Sequence, residues 1–189
     1  MSFDSHCSLI AVHCSMKMFT ATQKTVYLGL FIAITIILAR YVNIQVKIVT
    51  FHGFPIILSG IIFGPVSGAI VGSLSDILGY FLNSFGKPYH PGFTLTSALT
   101  GFIPALFLLP FNKDMKMPSF WYLTCAIFTG QFVTKIILMP YFYSQLAGKN
   151  FLFIKMLEGS VSQLIHVPLY AFIIYKILKA FRLRNPEGN

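Results

Sequence analysis

Apolar residues run through this chain in stretches close to the ~20 residues an α-helix needs to cross a bilayer. FPIILSGIIFGPVSGAIVGSLSDILGYFL (54–82) is the most constraining of them. In hydrocarbon every backbone N–H and C=O must be satisfied internally, which leaves helices or closed barrels. The ten-residue alternation of a barrel is absent, so helices are expected. Composition agrees: 56% of residues are hydrophobic, 10% are charged and the mean hydropathy is +0.74. A soluble domain carries about a quarter charged residues. The expected fold is an all-α polytopic membrane protein with no room for a separate soluble domain.

Six hydrophobic segments are predicted, over 25–43, 53–63, 66–84, 94–111, 119–145 and 153–181. At about 1.5 Å per residue the second is too short to span upright. Gly64-Pro65 ends it, because proline lacks the N–H to continue a helix. Kinks are expected at Pro140 and Pro168. Six segments place both termini on one side. That side carries Lys17, Lys24, Lys113, Lys116, Lys176, Lys179, Arg182 and Arg184, against Lys47, Lys87, Lys149 and Lys155 opposite. The excess predicts cytoplasmic termini. It also accounts for the net charge of +9 without nucleic acid, since no basic groove with interleaved aromatics is present. Residues 1–21 are expected to be a disordered or extraneous N-terminal segment, with 1–15 read as an extension ahead of a natural start at MKMFTATQK (16–24). Residues 22–181 form the membrane domain and 182–189 a cytoplasmic tail.

Cys7, Cys14 and Cys125 form no CxxC pair, and HCSLIAVHCS (6–15) lacks the tighter spacing of zinc sites, so no metal or other cofactor is expected. There is no GxxxxGK[ST] phosphate loop, GxSxG elbow or HExxH pair. Enzymatic chemistry is unsupported. What does stand out is polarity at depth. On the predicted topology Arg40 ends the first helix, Asp76 lies within the third and Lys135 in the outer half of the fifth. Glu158 begins the sixth, with Gln163 and His166 one and two turns deeper. Ionisable residues at such depth usually face a bundle interior or an aqueous cavity. They fit either a ligand site or internal pairing, for example Arg40 with Asp76. Small residues recur four apart at Gly29/Ala33, Gly60/Gly64, Gly68/Gly72 and Ser97/Gly101, a spacing that lets helices approach closely. The last three pairs read as internal packing; Gly29/Ala33 could dock another membrane protein.

GIIFGPVSGAIVGSLSDILG (60–79) followed by PGFTLTSALTGFIPALF (91–107), with six helices and a short second one, resembles the substrate-binding S component of an energy-coupling factor (ECF) vitamin transporter. The sequence is most similar to the folate-type S components, whose pattern runs G-x-x-x-G-P, a mid-helix Asp, then P-G-F-T-L. The likeness covers roughly residues 22–180 and is most specific between Gly60 and Gly101. It implies a subunit of the bacterial cytoplasmic membrane that binds a vitamin from outside. Its partners would be a membrane coupling protein and two cytoplasmic ATPases, docked through Gly29 and Ala33. Asp76 matches the family's mid-helix acid, suited to a two-point hydrogen bond with an amino-substituted pyrimidine or pterin edge. Arg40 and Lys135 match positions where a cation could hold a carboxylate. Tyr89, His90 and Phe93, in GKPYHPGF (86–93), could stack on or cover the ring; for His90 a plain turn beside prolines is the other reading.

The sequence also departs from the pattern. Glu158 stands where the folate-type pattern tends to be basic, and Trp121 lies at the start of the fifth helix with LMPYFYSQ (138–145) at its outer end. An acid there suits a glutamate tail poorly, which keeps hydroxymethylpyrimidine or a pyridoxine-type vitamin close behind folate. A stand-alone secondary transporter is the alternative from a different class.

Overall fold

The computed structural model describes residues 21–39, 51–82, 89–113, 118–147 and 150–184. The N-terminal tail, Arg40 and residues 185–189 lie outside the described residues, as does Lys47.

Every described element is helical. The order is α1 (Ala21–Ile37), α2 (Gly53–Phe63), α3 (Pro65–Leu82), α4 (Pro91–Lys113), α5 (Phe120–Gln131), a π-helical stretch (Phe132–Leu138), α6 (Met139–Ala147) and α7 (Asn150–Arg184). With α5, the π stretch and α6 running on without a break, these make six helical segments among the described residues. Four are long and apolar enough to cross a membrane: Pro65–Leu82, Pro91–Leu109, Phe120–Leu146 and Gly159–Ala180. Large apolar side chains such as Val26, Leu30, Val66, Leu78, Phe128 and Phe172 face outward, as lipid contact requires. The chain is a multi-pass membrane protein.

α2 is the predicted short helix, and it is apolar all round, the mark of a helix buried on every side. Ile57, Leu58 and Ile61 of α2 sit in the main core with Leu108 of α4, Leu123 and Ile127 of α5, and Val167, Ala171 and Ile174 of α7. At 11 residues α2 is about 16 Å long, roughly half a bilayer core. Gly53, at its N-terminus, is buried. At its other end Gly64 takes φ +97°, a left-handed conformation that glycine adopts without steric cost, and its N–H bonds to the Gly60 carbonyl. Pro65 then opens α3 at a position where a missing N–H costs nothing.

Glycines set how closely α2, α3 and α4 meet. A Cβ on Gly101 would lie 2.6 Å from the Gly68 carbonyl oxygen, and one on Gly68 would lie 2.7 Å from the Gly60 Cα. Gly72 backs directly onto the Ser97 carbonyl. Gly68/Gly72 and Ser97/Gly101 are thus internal packing, as expected; of Gly60/Gly64 only Gly60 packs, while a Cβ on Gly64 would meet nothing within 4 Å and that glycine serves the turn. Gly29 meets nothing within 4 Å, and both Gly29 and Ala33 are exposed.

The fifth segment differs from a simple kinked helix. Ahead of Pro140 the chain widens into the π register, with the Met139 N–H bonding to the Thr134 carbonyl. Pro140 cannot supply the next donor, which in that register would reach the Lys135 carbonyl. α7 passes close by at that point: a Cβ on Gly159 would be 3.0 Å from the Lys135 oxygen. α7 itself runs as helix through Pro168.

Candidate ligand-binding site

At the N-terminal end of α2, side chains from several helices surround open space. A cavity of about 140 Å³ lies there, lined by Thr35 and Ala39 of the first segment, His52 and Ile56, Ser75 and Asp76 of α3, and Ser97 of α4. Asp76 is half-buried on a helix that is otherwise apolar or small. Thr94 Oγ1 donates to Asp76 Oδ2 at 2.7 Å, and Tyr89 OH lies 2.9 Å from Thr94 Oγ1. Thr94 has one hydroxyl proton, so Tyr89 is the donor to it. The chain Tyr89–Thr94–Asp76 fixes one carboxylate oxygen, and Oδ1 has no partner among the described residues.

The neighbouring hydroxyls share a polarity. Thr35 Oγ1 donates to the Phe31 carbonyl at 2.7 Å and Ser75 Oγ to the Gly72 carbonyl at 3.0 Å. With their protons bound to their own helices, these groups offer the cavity lone pairs only. Thr35, Ser75 and Asp76 together present acceptors, so this wall suits a ligand edge rich in N–H groups.

The other predicted residues divide. Lys135, half-buried in the π stretch, lies within electrostatic range of Asp76 and of His166. Gln163 is buried and pairs with Gln131 of α5, its Nε2 donating to Gln131 Oε1 at 3.5 Å. His166, buried beside it, contacts the Ser162 carbonyl through Nδ1 and stacks edge-on against Tyr170. Tyr89, His90 and Phe93 do not line the cavity. His90 Nδ1 accepts the Gly92 N–H at 3.1 Å and so caps α4, with Pro91 as its first residue. His90 and Phe93 also pack on Phe142 and Tyr143 of α6, with ring centroids 5.5 and 5.2 Å apart, tying the start of α4 to α6. Arg40 and the Glu158 side chain fall outside what is described.

Sequence reasoning missed Thr94, Thr35, Ser97, His52 and Gln131. Thr94 stood in the P-G-F-T-L motif, and Gln131 lies one turn before Lys135 on the same segment. Either position was a usable signal. No group of three or more metal-binding side chains occurs among the described residues.

The sequence model of the family described as ECF-type riboflavin transporter, S component, matches residues 19–180. The chain is also 30% identical to the folate transporter FolT of Clostridium novyi (strain NT) over 154 residues, which is 79% of this chain and 84% of that protein. No solved structure matches at a significant level.

Proposed function

Because the chain belongs to the ECF-type riboflavin transporter S component family, we propose that it captures one water-soluble vitamin outside the cell for ATP-driven uptake by partner subunits. The partners are a membrane coupling protein and two ATPases, the termini are cytoplasmic and the membrane is the bacterial cytoplasmic one. Folate-like ligands come first. The observation that carries the reading is the acceptor-lined cavity around Asp76, which complements the amino-substituted edge of a pterin. Likeness to a named folate transporter supports the same ligand class. Asp76 reads the ring, Lys135 holds a ligand carboxylate or balances Asp76, and the exposed Gly29 and Ala33 face the coupling protein.

A second reading has its own support. Drug-sized ligands occupy pockets of roughly 300–1,000 Å³, and about 140 Å³ suits a single ring such as hydroxymethylpyrimidine or pyridoxine. The role is the same in both. Purification from native membranes, followed by uptake into vesicles, tests that role. The chain should co-purify with a coupling protein and ATPases, and uptake should need ATP. Uptake by the chain alone, driven by an ion gradient, would make it a secondary transporter.

A further inference from the structure

α3 and α4 meet in a register that repeats with each helical turn. Gly68 lies against Gly101, Gly72 backs onto the Ser97 carbonyl one turn on, and Asp76 meets Thr94 one turn further. The first two contacts leave no room for a methyl group, so backbone packing sets the separation at which the third is made. Thr94 also departs from its neighbours. Thr96 and Thr100 donate to the carbonyls four residues back, those of Gly92 and Thr96, whereas Thr94 sends its proton across to Asp76 Oδ2 at 2.7 Å. The Thr94 hydroxyl is held in turn by Tyr89 OH at 2.9 Å. The Tyr89 ring packs on Tyr80, one turn beyond Asp76 on α3, with centroids 5.1 Å apart. Asp76 lines the cavity; Thr94 and Tyr89 do not. The terminal torsion of a carboxylate is broad and nearly two-fold, so an untethered Asp76 would swing. With Oδ2 tied to Thr94, Oδ1 is held in one direction and has no hydrogen-bond partner among the described residues.

We propose that Thr94, steadied by Tyr89, is a positioning residue that acts through Asp76, pinning the carboxylate so that one oxygen stays open for the bound ring. The assignment rests on the reading of the chain as a vitamin-capturing subunit and deepens it, because affinity then depends on two residues outside the cavity wall. A hydroxyl that served only to join α3 to α4 would show the opposite split, a lower melting temperature with affinity kept.

The test titrates the purified full chain with folic acid, riboflavin, pyridoxine and hydroxymethylpyrimidine, and carries the tightest binder of the wild type into the variants. Thr94→Val keeps the branched shape, removes the hydroxyl and should weaken binding about fivefold or more. Thr94→Ser restores the hydroxyl and should return affinity to within about twofold of the wild type. In an Asp76→Asn background Thr94→Val should cost less than about twofold, since no carboxylate is left to aim. Tyr89→Phe, at a position 45% exposed, carries the test should Thr94→Val fail to fold, and should weaken binding about twofold or more with Asp76 present. Unchanged affinity in Thr94→Val or Tyr89→Phe overturns the assignment and leaves vitamin capture standing. So does an equal loss with and without the Asp76 carboxylate, or a Thr94→Ser chain that binds no better than Thr94→Val. A folded wild type that binds none of the four removes both.

Discussion

A carboxylate inside a membrane helix must be hydrated, paired or hydrogen-bonded. Asp76 meets that requirement in part through Thr94, itself steadied by Tyr89, and lines a cavity where the Thr35 and Ser75 hydroxyls are spent as donors on their own helices. If Asp76 reads the ligand, Asp76→Asn should weaken vitamin binding by about 1.5–3 kcal/mol, the scale of a charged hydrogen bond, in a protein that still folds. Titration calorimetry checks this, and unchanged affinity would reassign Asp76 to structure. Asp76 was legible in the sequence because a charge in an apolar helix stands out against composition. Thr94 was marked only by its place in the P-G-F-T-L motif; its bond to Asp76 was not legible, because hydroxyls in helices usually bond back to their own carbonyls, as Thr96 and Thr100 do two and six residues later. His90 was legible as a ring-covering residue or as a turn beside prolines; its cap geometry places it at the start of α4.

At the scale of the element, glycine decides where helices touch. Gly101 packs against the Gly68 backbone with no room for a methyl group. Gly101→Val should therefore cost about 1–3 kcal/mol or more through overpacking, read as a lower melting temperature in detergent. Gly29→Val, at an open surface, should change stability only through helix propensity, a gain of a few tenths of a kcal/mol. A melting temperature equally lowered in both would refute the packing account. The four-residue spacing of small residues revealed these contacts, and Gly64-Pro65 revealed the break. Segment edges were less readable: α4 starts at Pro91 rather than 94 because His90 caps it. The π stretch was invisible, since proline announces only that a donor is missing. Whether the chain answers by bending or by widening depends on the neighbour, here Gly159 against Lys135.

At the scale of the whole molecule, a short buried helix among four long enough to cross a membrane has a cavity at its N-terminal end and the main core along its length. The shortness of that helix was legible from segment length alone. The pairing of Gln131 with Gln163 was not, because it depends on two helices meeting 32 residues apart in sequence. If Gly29 and Ala33 face the coupling protein, Gly29→Leu should leave vitamin affinity intact while abolishing assembly and uptake; normal uptake in vesicles would remove that docking site. The most direct test of vitamin capture is mass spectrometry of the small molecule retained by the chain purified from native membranes. The account predicts a single water-soluble vitamin, chemically unchanged and near one per chain. A folded protein that retains no vitamin, or that carries a converted product, would contradict it.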